Sequence, residues 1–233
     1  MSDAVILAGG RATRLAGVVD DRPKALADIA GRPFLDWQLD YLAGQGVDRA
    51  ILALGHLAAP IIDRYGNGYG PLRVDCVVEP MPLGTGGAIR HALTVAGSDV
   101  AYVLNGDSLA PVALSALDSD DDLVLAIREV DDVARYGTVV CAGDRVVVFG
   151  EKQAVGRGWI NAGIYRIRRR VFDRLQLPPA FSLEHDLLAP HAGALGVRAV
   201  RVEVPFIDIG TPSSLRAGSE VIPAMFATAR RGG

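Results

Sequence analysis

The strongest constraint on the fold is an alternation along the chain, in which apolar runs of strand length are separated by amphipathic stretches of helix length. A chain written this way folds as a parallel sheet covered on both faces, because each strand must be followed by a crossover before the next can lie beside it. The first run, Val5-Ile6-Leu7-Ala8, ends in Gly9-Gly10, where a buried strand breaks into a tight loop. Pro33 suits a first helical position, and Leu35, Leu39 and Leu42 recur at helical spacing until Gly44 and Gly46. Further strands are expected at 49–54, 72–78 and 100–104, with helices at about 60–65 and from the 79–87 loop to about 95.

Beyond residue 105 the alternation breaks. The acidic run 118–122 reads as a solvated connection. A strand at 123–129, a hairpin of 139–141 and 146–149 around Gly143-Asp144, and a strand at 159–166 follow. Helices are expected at 169–175 and after Ser182 as N-cap, then a strand at 197–204, a helix at 212–225 and frayed residues 229–233. The expected fold is α/β: one doubly wound, mostly parallel sheet with a small antiparallel subregion, forming a single domain over 1–233.

With 233 residues, half of them hydrophobic, the chain can bury a sizeable core. A net charge of −3 argues against nucleic-acid binding. No run of about 18 apolar residues and no secretory pattern is present, so no membrane association and a cytoplasmic location are expected. Cys76 and Cys141 lie in apolar runs and read as reduced core thiols. His56, His91, His185 and His191 share no metal-ligand spacing, and no serine sits in a G-x-S-x-G elbow, which leaves hydrolase chemistry little support.

The chemistry concentrates at the ends of strands. In an open α/β sheet ligands bind outside the strands' carboxyl ends. After the first strand, Gly9-Gly10-Arg11-Ala12-Thr13-Arg14-Leu15 and then Pro23-Lys24 offer a loop whose amides can approach an anion, with Arg11, Arg14 and Lys24 as fixed positive charge. It is neither a dinucleotide fingerprint, since the third glycine is missing, nor a Walker loop, since no G-K-[ST] occurs. This disfavours a nicotinamide-dependent dehydrogenase. Asn105-Gly106-Asp107 follows the fourth strand, and Asp208 ends the last apolar run. Two carboxylates converging on a triphosphate are what Mg2+ requires.

In this order the motifs resemble those of the sugar-phosphate nucleotidyltransferases, whose signature reads A-G-G-x-G-T-R-L and then P-K; Ala12 stands at the third glycine. The resemblance spans almost the whole chain. It implies a Rossmann-like nucleotide-diphospho-sugar transferase fold, with a nucleotide-binding half at about 1–120 and a sugar-phosphate-binding half at about 121–228. It implies catalytic roles for Arg14, Lys24 and Asp107, and Mg2+ held by Asp107 and by Asp208 of the D-x-G-T-P segment. Nucleotide contacts would come from Leu7, Ala8, Gly9, Gly10, Arg11, Thr13, Glu79, Gly84 and Thr85, and sugar-phosphate contacts from Asn105, Tyr136, Gly137, Glu151, Lys152 and Asn161. The 82–88 loop is most similar to that of guanylyltransferases acting on mannose 1-phosphate or D-glycero-D-manno-heptose 1-phosphate, and the chain's shortness favours the latter. The implied reaction is transfer of a nucleoside monophosphate, GMP first, from the triphosphate to a sugar 1-phosphate. Uridylyl, thymidylyl or cytidylyl transfer and a non-catalytic nucleotide-sugar-binding regulator are the alternatives. Residues 181–186 match either a capped helix or a guanylyltransferase segment, and a homo-oligomer stays open.

Overall fold

The computed structural model describes residues 2–10, 23–55, 57–134, 136–150 and 156–229. In chain order the strands and helices are β1 (Asp3–Leu7), β2 (Asp28–Ile29), β3 (Arg32–Pro33), α1 (Phe34–Gly44), β4 (Arg49–Leu54), α2 (Ala58–Tyr65), β5 (Arg73–Val78), α3 (Gly84–Ala92), β6 (Val100–Asn105), β7 (Ser108–Leu109), β8 (Leu123–Val130), β9 (Thr138–Ala142), β10 (Arg145–Gly150), β11 (Gly158–Arg168), α4 (Ala189–Leu195), β12 (Arg198–Val202), β13 (Ile207–Asp208) and α5 (Pro212–Ala229).

Nine strands form one sheet in the order β5-β4-β1-β6-β11-β8-β12-β10-β9. The first four run parallel. At β11 the direction reverses against both β6 and β8, so the sheet as a whole is mixed and its antiparallel region is continuous with the parallel one. Side chains alternate across each strand, and in the central strands both sets are buried, whereas β9 and β10 leave one face exposed. Ala4 and Ile6 of β1, with Val124 and Ala126 of β8, pack on one face under α1 and α5, joined there by Leu35, Leu39, Leu42, Ile222 and Met225. Val5, Leu123, Leu125 and Ile127 face the opposite way onto Ile89 of α3, Ala192 of α4 and Leu187 just before it. Burial on both faces explains why these strands are written as unbroken apolar runs.

Several local details depart from the sequence reading. Pro33 caps α1 instead of entering it, because it pairs with Asp28 in the β2–β3 hairpin and the Phe34 N–H donates to the Ala27 carbonyl at 2.9 Å. Helix α3 ends at Ala92, short of Val95, where the Thr94 hydroxyl donates to the His91 carbonyl at 2.7 Å. The helix expected at 169–175 is a 3₁₀ stretch, Arg169–Arg174. Ser182 does cap, accepting from the His185 N–H at 3.1 Å, but the turn it opens, Leu183–Leu188, is π-helical. Pro190, which has no N–H to continue the ladder, stands where that turn gives way to α4.

The acidic run is not simply solvated. Asp121 pairs with Arg145 at 2.6 Å, Asp122 with Arg170 at 2.6 Å and Arg174 at 3.2 Å, and Asp118 accepts from the Tyr102 hydroxyl at 2.7 Å. These charges tie the β6–β8 connection to the strands and 3₁₀ stretch beside it. Cys76 and Cys141 are free and half-buried, and burial raises both thiols above their ordinary range. Among the described residues no helix is long and apolar enough to cross a membrane.

Candidate active site

The site starts from one register. Strands β1 and β6 are parallel neighbours with Leu7 opposite Asn105, so the loops that follow them leave the sheet at the same end. They touch there. A Cβ on Gly106 would lie 2.1 Å from the Leu7 carbonyl oxygen, so only glycine lets the two backbones meet. Gly9 is packed the same way, its missing Cβ 2.6 Å from the Gly55 nitrogen, whereas no described residue comes within 4 Å of the Cβ position of Gly10. The first glycine of the pair therefore meets a packing demand, and the second faces the cleft.

Lys24 and Asp107 meet across this floor, Nζ to Oδ2 at 2.7 Å, with the lysine side chain 14% and the aspartate 43% exposed. The ammonium offsets charge at a carboxylate that stays open to solvent on its other side. Asp107 is followed at once by β7, which pairs with β13 so that Asp208 stands opposite Ser108, and the Ile209 N–H donates to the Asp107 carbonyl at 2.9 Å. One Asp208 oxygen accepts from the Gly210 N–H. A Cβ on Gly210 would lie 3.4 Å from the lysine nitrogen, which puts Lys24, Asp107 and the Asp208–Gly210 turn at one corner. No cluster of three or more metal-ligating side chains occurs among the described residues. Two carboxylates brought together by adjacent strands, one of them exposed, are nevertheless a donor set suited to a hard divalent cation that completes its shell with phosphate oxygens and water.

A second wall is built from the end of β5. The Glu79 N–H donates to the Leu54 carbonyl at 2.8 Å, and its Oε2 accepts from the Leu83 N–H at 2.9 Å, which shapes the turn into α3. From α3 the Thr85 hydroxyl accepts from the Leu183 N–H at 2.9 Å, while the Gly86 and Gly87 N–H groups donate to the Phe181 carbonyl at 3.0 and 3.2 Å. The Phe181 ring occupies the space a side chain at 86 would need, 2.1 Å from its Cβ position. The glycines of this loop thus seat the 179–183 segment, and that segment carries Ser182, Leu183 and Glu184 to the cleft.

The third wall comes from β11. Its register against β8 shifts between Asn161 and Tyr165, a bulge that re-aims both side chains. Asn161 Oδ1 accepts from the Gly163 N–H at 2.9 Å, and its Nδ2 donates to Glu184 Oε1 at 2.7 Å and to the Tyr165 hydroxyl. Tyr165 is buried at the cleft floor. Burial and the neighbouring Glu184 charge push its hydroxyl well above the ordinary tyrosine range, against the opposing pull of hydrogen bonds from Asn161 and Asn105.

The three walls enclose a cleft of about 710 Å³. Of the residues singled out from sequence, Leu7, Ala8, Gly9, Gly10, Lys24, Glu79, Gly84, Thr85, Asn105 and Asp107 line it. Asn161 stands behind Tyr165 and Glu184, which do, and Asp208 reaches the corner from behind Asp107. Tyr136 and Gly137 do not line it: the Tyr136 ring packs edge-on against Phe206 at 5.7 Å, and Gly137 backs onto the Gly150 carbonyl. Arg11, Thr13, Arg14, Glu151, Lys152 and His56 lie outside the described residues. Sequence reasoning missed Tyr165, although it stands four residues after Asn161 across Gly163, and left Glu184 undecided.

Residues 3–224 match the nucleotidyl transferase family. The D-glycero-α-D-manno-heptose 1-phosphate guanylyltransferase of Campylobacter jejuni is 37% identical over 211 residues, covering 90% of this chain and 95% of that protein. A mannose-1-phosphate guanylyltransferase of Mycobacterium tuberculosis is 34% identical, with 93% of this chain matching 63% of the longer relative. Among solved structures, HddC from Yersinia pseudotuberculosis, also determined in complex with GMP-PN, superposes with a TM-score of 0.83 at 38% identity over 94% of this chain and 99% of that one. The strand-end cleft, its paired aspartates and these likenesses over nearly the whole chain lead to one conclusion: the protein belongs to the nucleotidyl transferase family and is an enzyme of that kind.

Proposed function

We propose that this enzyme transfers GMP from GTP to D-glycero-α-D-manno-heptose 1-phosphate, releasing pyrophosphate, in the cytoplasm. The observation that carries the reading is the meeting of Lys24 and Asp107 at 2.7 Å on the floor of a cleft walled by residues of both halves of the sheet. The match to a heptose 1-phosphate guanylyltransferase along 95% of its length supports that sugar over mannose.

The attacking oxygen of a sugar 1-phosphate is ionised at neutral pH, so the protein needs no base and no covalent intermediate. Its task is to position two anions and offset their charge. In this reading the end of β1, Leu7 to Gly10, and the Glu79–Thr85 wall hold the nucleotide, with Arg11, Thr13 and Arg14 on its phosphates. Lys24 neutralises the α-phosphoryl group, and Lys152 the attacking phosphate. Asp107 and Asp208 hold Mg2+, which when bound lowers the charge of the triphosphate. Asn105, Asn161 and Glu151 belong to the sugar side, and the division at about residue 120 follows the step from β7 to β8.

Glu79 reads guanine here. A carboxylate can accept two adjacent N–H groups from guanine's Watson–Crick edge, while uracil presents one N–H between two repelling carbonyls. Pyrophosphate release measured for GTP, UTP, CTP and dTTP against a panel of sugar 1-phosphates tests the whole assignment. GTP with the heptose phosphate should give the highest kcat/KM. Preference for a pyrimidine triphosphate, or for mannose 1-phosphate, would replace the base or the sugar in this proposal.

A further inference from the structure

Helix α1 carries none of the cleft residues described above, yet it presents a polar side chain to the one loop on which Asp107 stands. Gln38 is fully buried. Its Nε2 donates to the Asn105 carbonyl at 2.8 Å and to the Ser108 carbonyl at 3.0 Å, the residues that bracket Gly106 and Asp107. Two carbonyl acceptors use both N–H groups of the amide, so the side chain spans the loop's base as a clamp. The Oε1 of the same amide is buried and meets no donor among the described residues. An apolar side chain would fill this space without an unmet acceptor, so what the glutamine contributes is its pair of donors. The same face of α1 continues the contact further along: the Tyr41 hydroxyl donates to the Val112 carbonyl at 2.6 Å, and Gln45 Oε1 accepts from the Leu114 N–H at 3.0 Å.

We infer that Gln38 is a positioning residue for nucleotidyl transfer: by holding both ends of the Gly106–Asp107 turn it sets where the Asp107 carboxylate stands against Lys24 and the β13 strand. This rests on the assignment of Asp107 to the reacting phosphates. It does not touch the substrate, and its effect is on geometry, where a displacement of about 1 Å can cost on the order of a hundredfold in rate.

The test compares Gln38→Met, similar in size and without donors, with Tyr41→Phe, which removes one hydrogen bond from the same helix to a residue beyond the turn. In Gln38→Met, kcat should fall by about tenfold or more with the KM for GTP within about twofold, and amide hydrogen exchange should quicken over 105–109 while α1 and the sheet keep wild-type protection. Tyr41→Phe should leave kcat and that exchange unchanged. Gln38→Glu supplies a second probe, because a carboxylate repels both carbonyls and only its protonated form donates, so its kcat relative to wild type should recover as the pH falls. Wild-type exchange over 105–109 in Gln38→Met, or acceleration spread over the whole domain, overturns the inference. Full turnover by Asp107→Asn overturns instead the role of Asp107, and the exchange measurement tells the two failures apart.

Discussion

The parallel and antiparallel halves of the sheet build their share of the cleft by different means. In the parallel half, β5, β4, β1 and β6 all deliver their following loops to one end, and Glu79, Gly9 and Asp107 arrive at the site simply by standing next after a strand. Backbone contact does most of the shaping, as at Gly106 against Leu7. In the other half no such rule operates, because β11 runs against both its neighbours and β10 against both of its own, with only β8 and β12 parallel. There β11 reaches the cleft only by breaking register at its bulge, and Glu184 comes from a turn far along the chain that α3 holds in place. A site wall is a consequence of topology on one side and of a local irregularity on the other.

This difference can be broken by experiment, beginning with the largest effect. Asp107→Asn and Asp208→Asn remove one negative charge each with little change in shape, and each should lower kcat by roughly a hundredfold to a thousandfold, within the range found when one group aimed at transition-state charge is lost. Steady-state turnover at saturating divalent cation is the measure. A smaller loss than that of the antiparallel-wall variant below would reverse the ranking of the two halves.

Next comes Glu79→Gln. Its carbonyl oxygen can still accept from the Leu83 N–H, so the turn into α3 survives and the charge alone is changed. The GTP/UTP ratio of kcat/KM should narrow by about tenfold, since a hydrogen bond to a charged group contributes roughly 1.5–3 kcal/mol. An unchanged ratio would leave Glu79 as a turn-shaping residue and move base recognition to the backbone at Gly9 or Gly84.

Tyr165→Phe probes the other wall and should act on the sugar side, raising the KM for the sugar phosphate by about three- to tenfold, as expected for one neutral hydrogen bond of roughly 0.5–1.5 kcal/mol. The KM for GTP should not move. Because the Tyr165 hydroxyl is held well above its ordinary range, the deficit should stay constant as pH rises to about 10. A deficit that fades at alkaline pH would mean the hydroxyl ionises within the working range.

The smallest effect lies far from the cleft, at the Asp121–Arg145 pair. The Ser119 hydroxyl and then Arg145 hold the Asp121 carboxyl below the usual aspartate range. A depressed folded-state value stabilises the fold above the unfolded value of about 4 and loses that contribution as pH falls toward the folded one. Asp121→Asn should therefore cost less than about 1 kcal/mol at pH 7, typical of a surface pair. The difference in denaturation midpoints should close below about pH 4. A gap that persists in acid would assign the loss to packing.

The same contrast explains what could be read in advance. The strands β1, β4, β5 and β6 and the cleft-lining residues Gly9 and Asp107 were legible because an apolar run followed by glycine, or by Asn-Gly-Asp, marks a strand end without tertiary information. Tyr165 was not, since nothing in Asn161-Ala162-Gly163-Ile164-Tyr165 shows that the register shifts there or that Glu184 comes to meet Asn161. The 84–87 glycines were legible as a loop but misleading in kind, because their close approach is to Phe181, about a hundred residues away, as well as to the cleft. Gln38 gave no signal at all, standing on a helix whose spacing is fully accounted for by its leucines.

Phe181 has a wider consequence. Its ring is sunk into the space over Gly86, and the Arg90 guanidinium lies 4.9 Å from its centroid while donating to the Pro178 and Pro179 carbonyls at 2.8 and 3.0 Å. It works as a dowel between two planks, since the Glu79 wall and the Glu184 wall cannot part unless the ring is withdrawn. That rim of the cleft is therefore pinned as one unit, and a widening to admit a bulkier base or sugar is expected on the opposite side, where Lys24 and Gly10 stand.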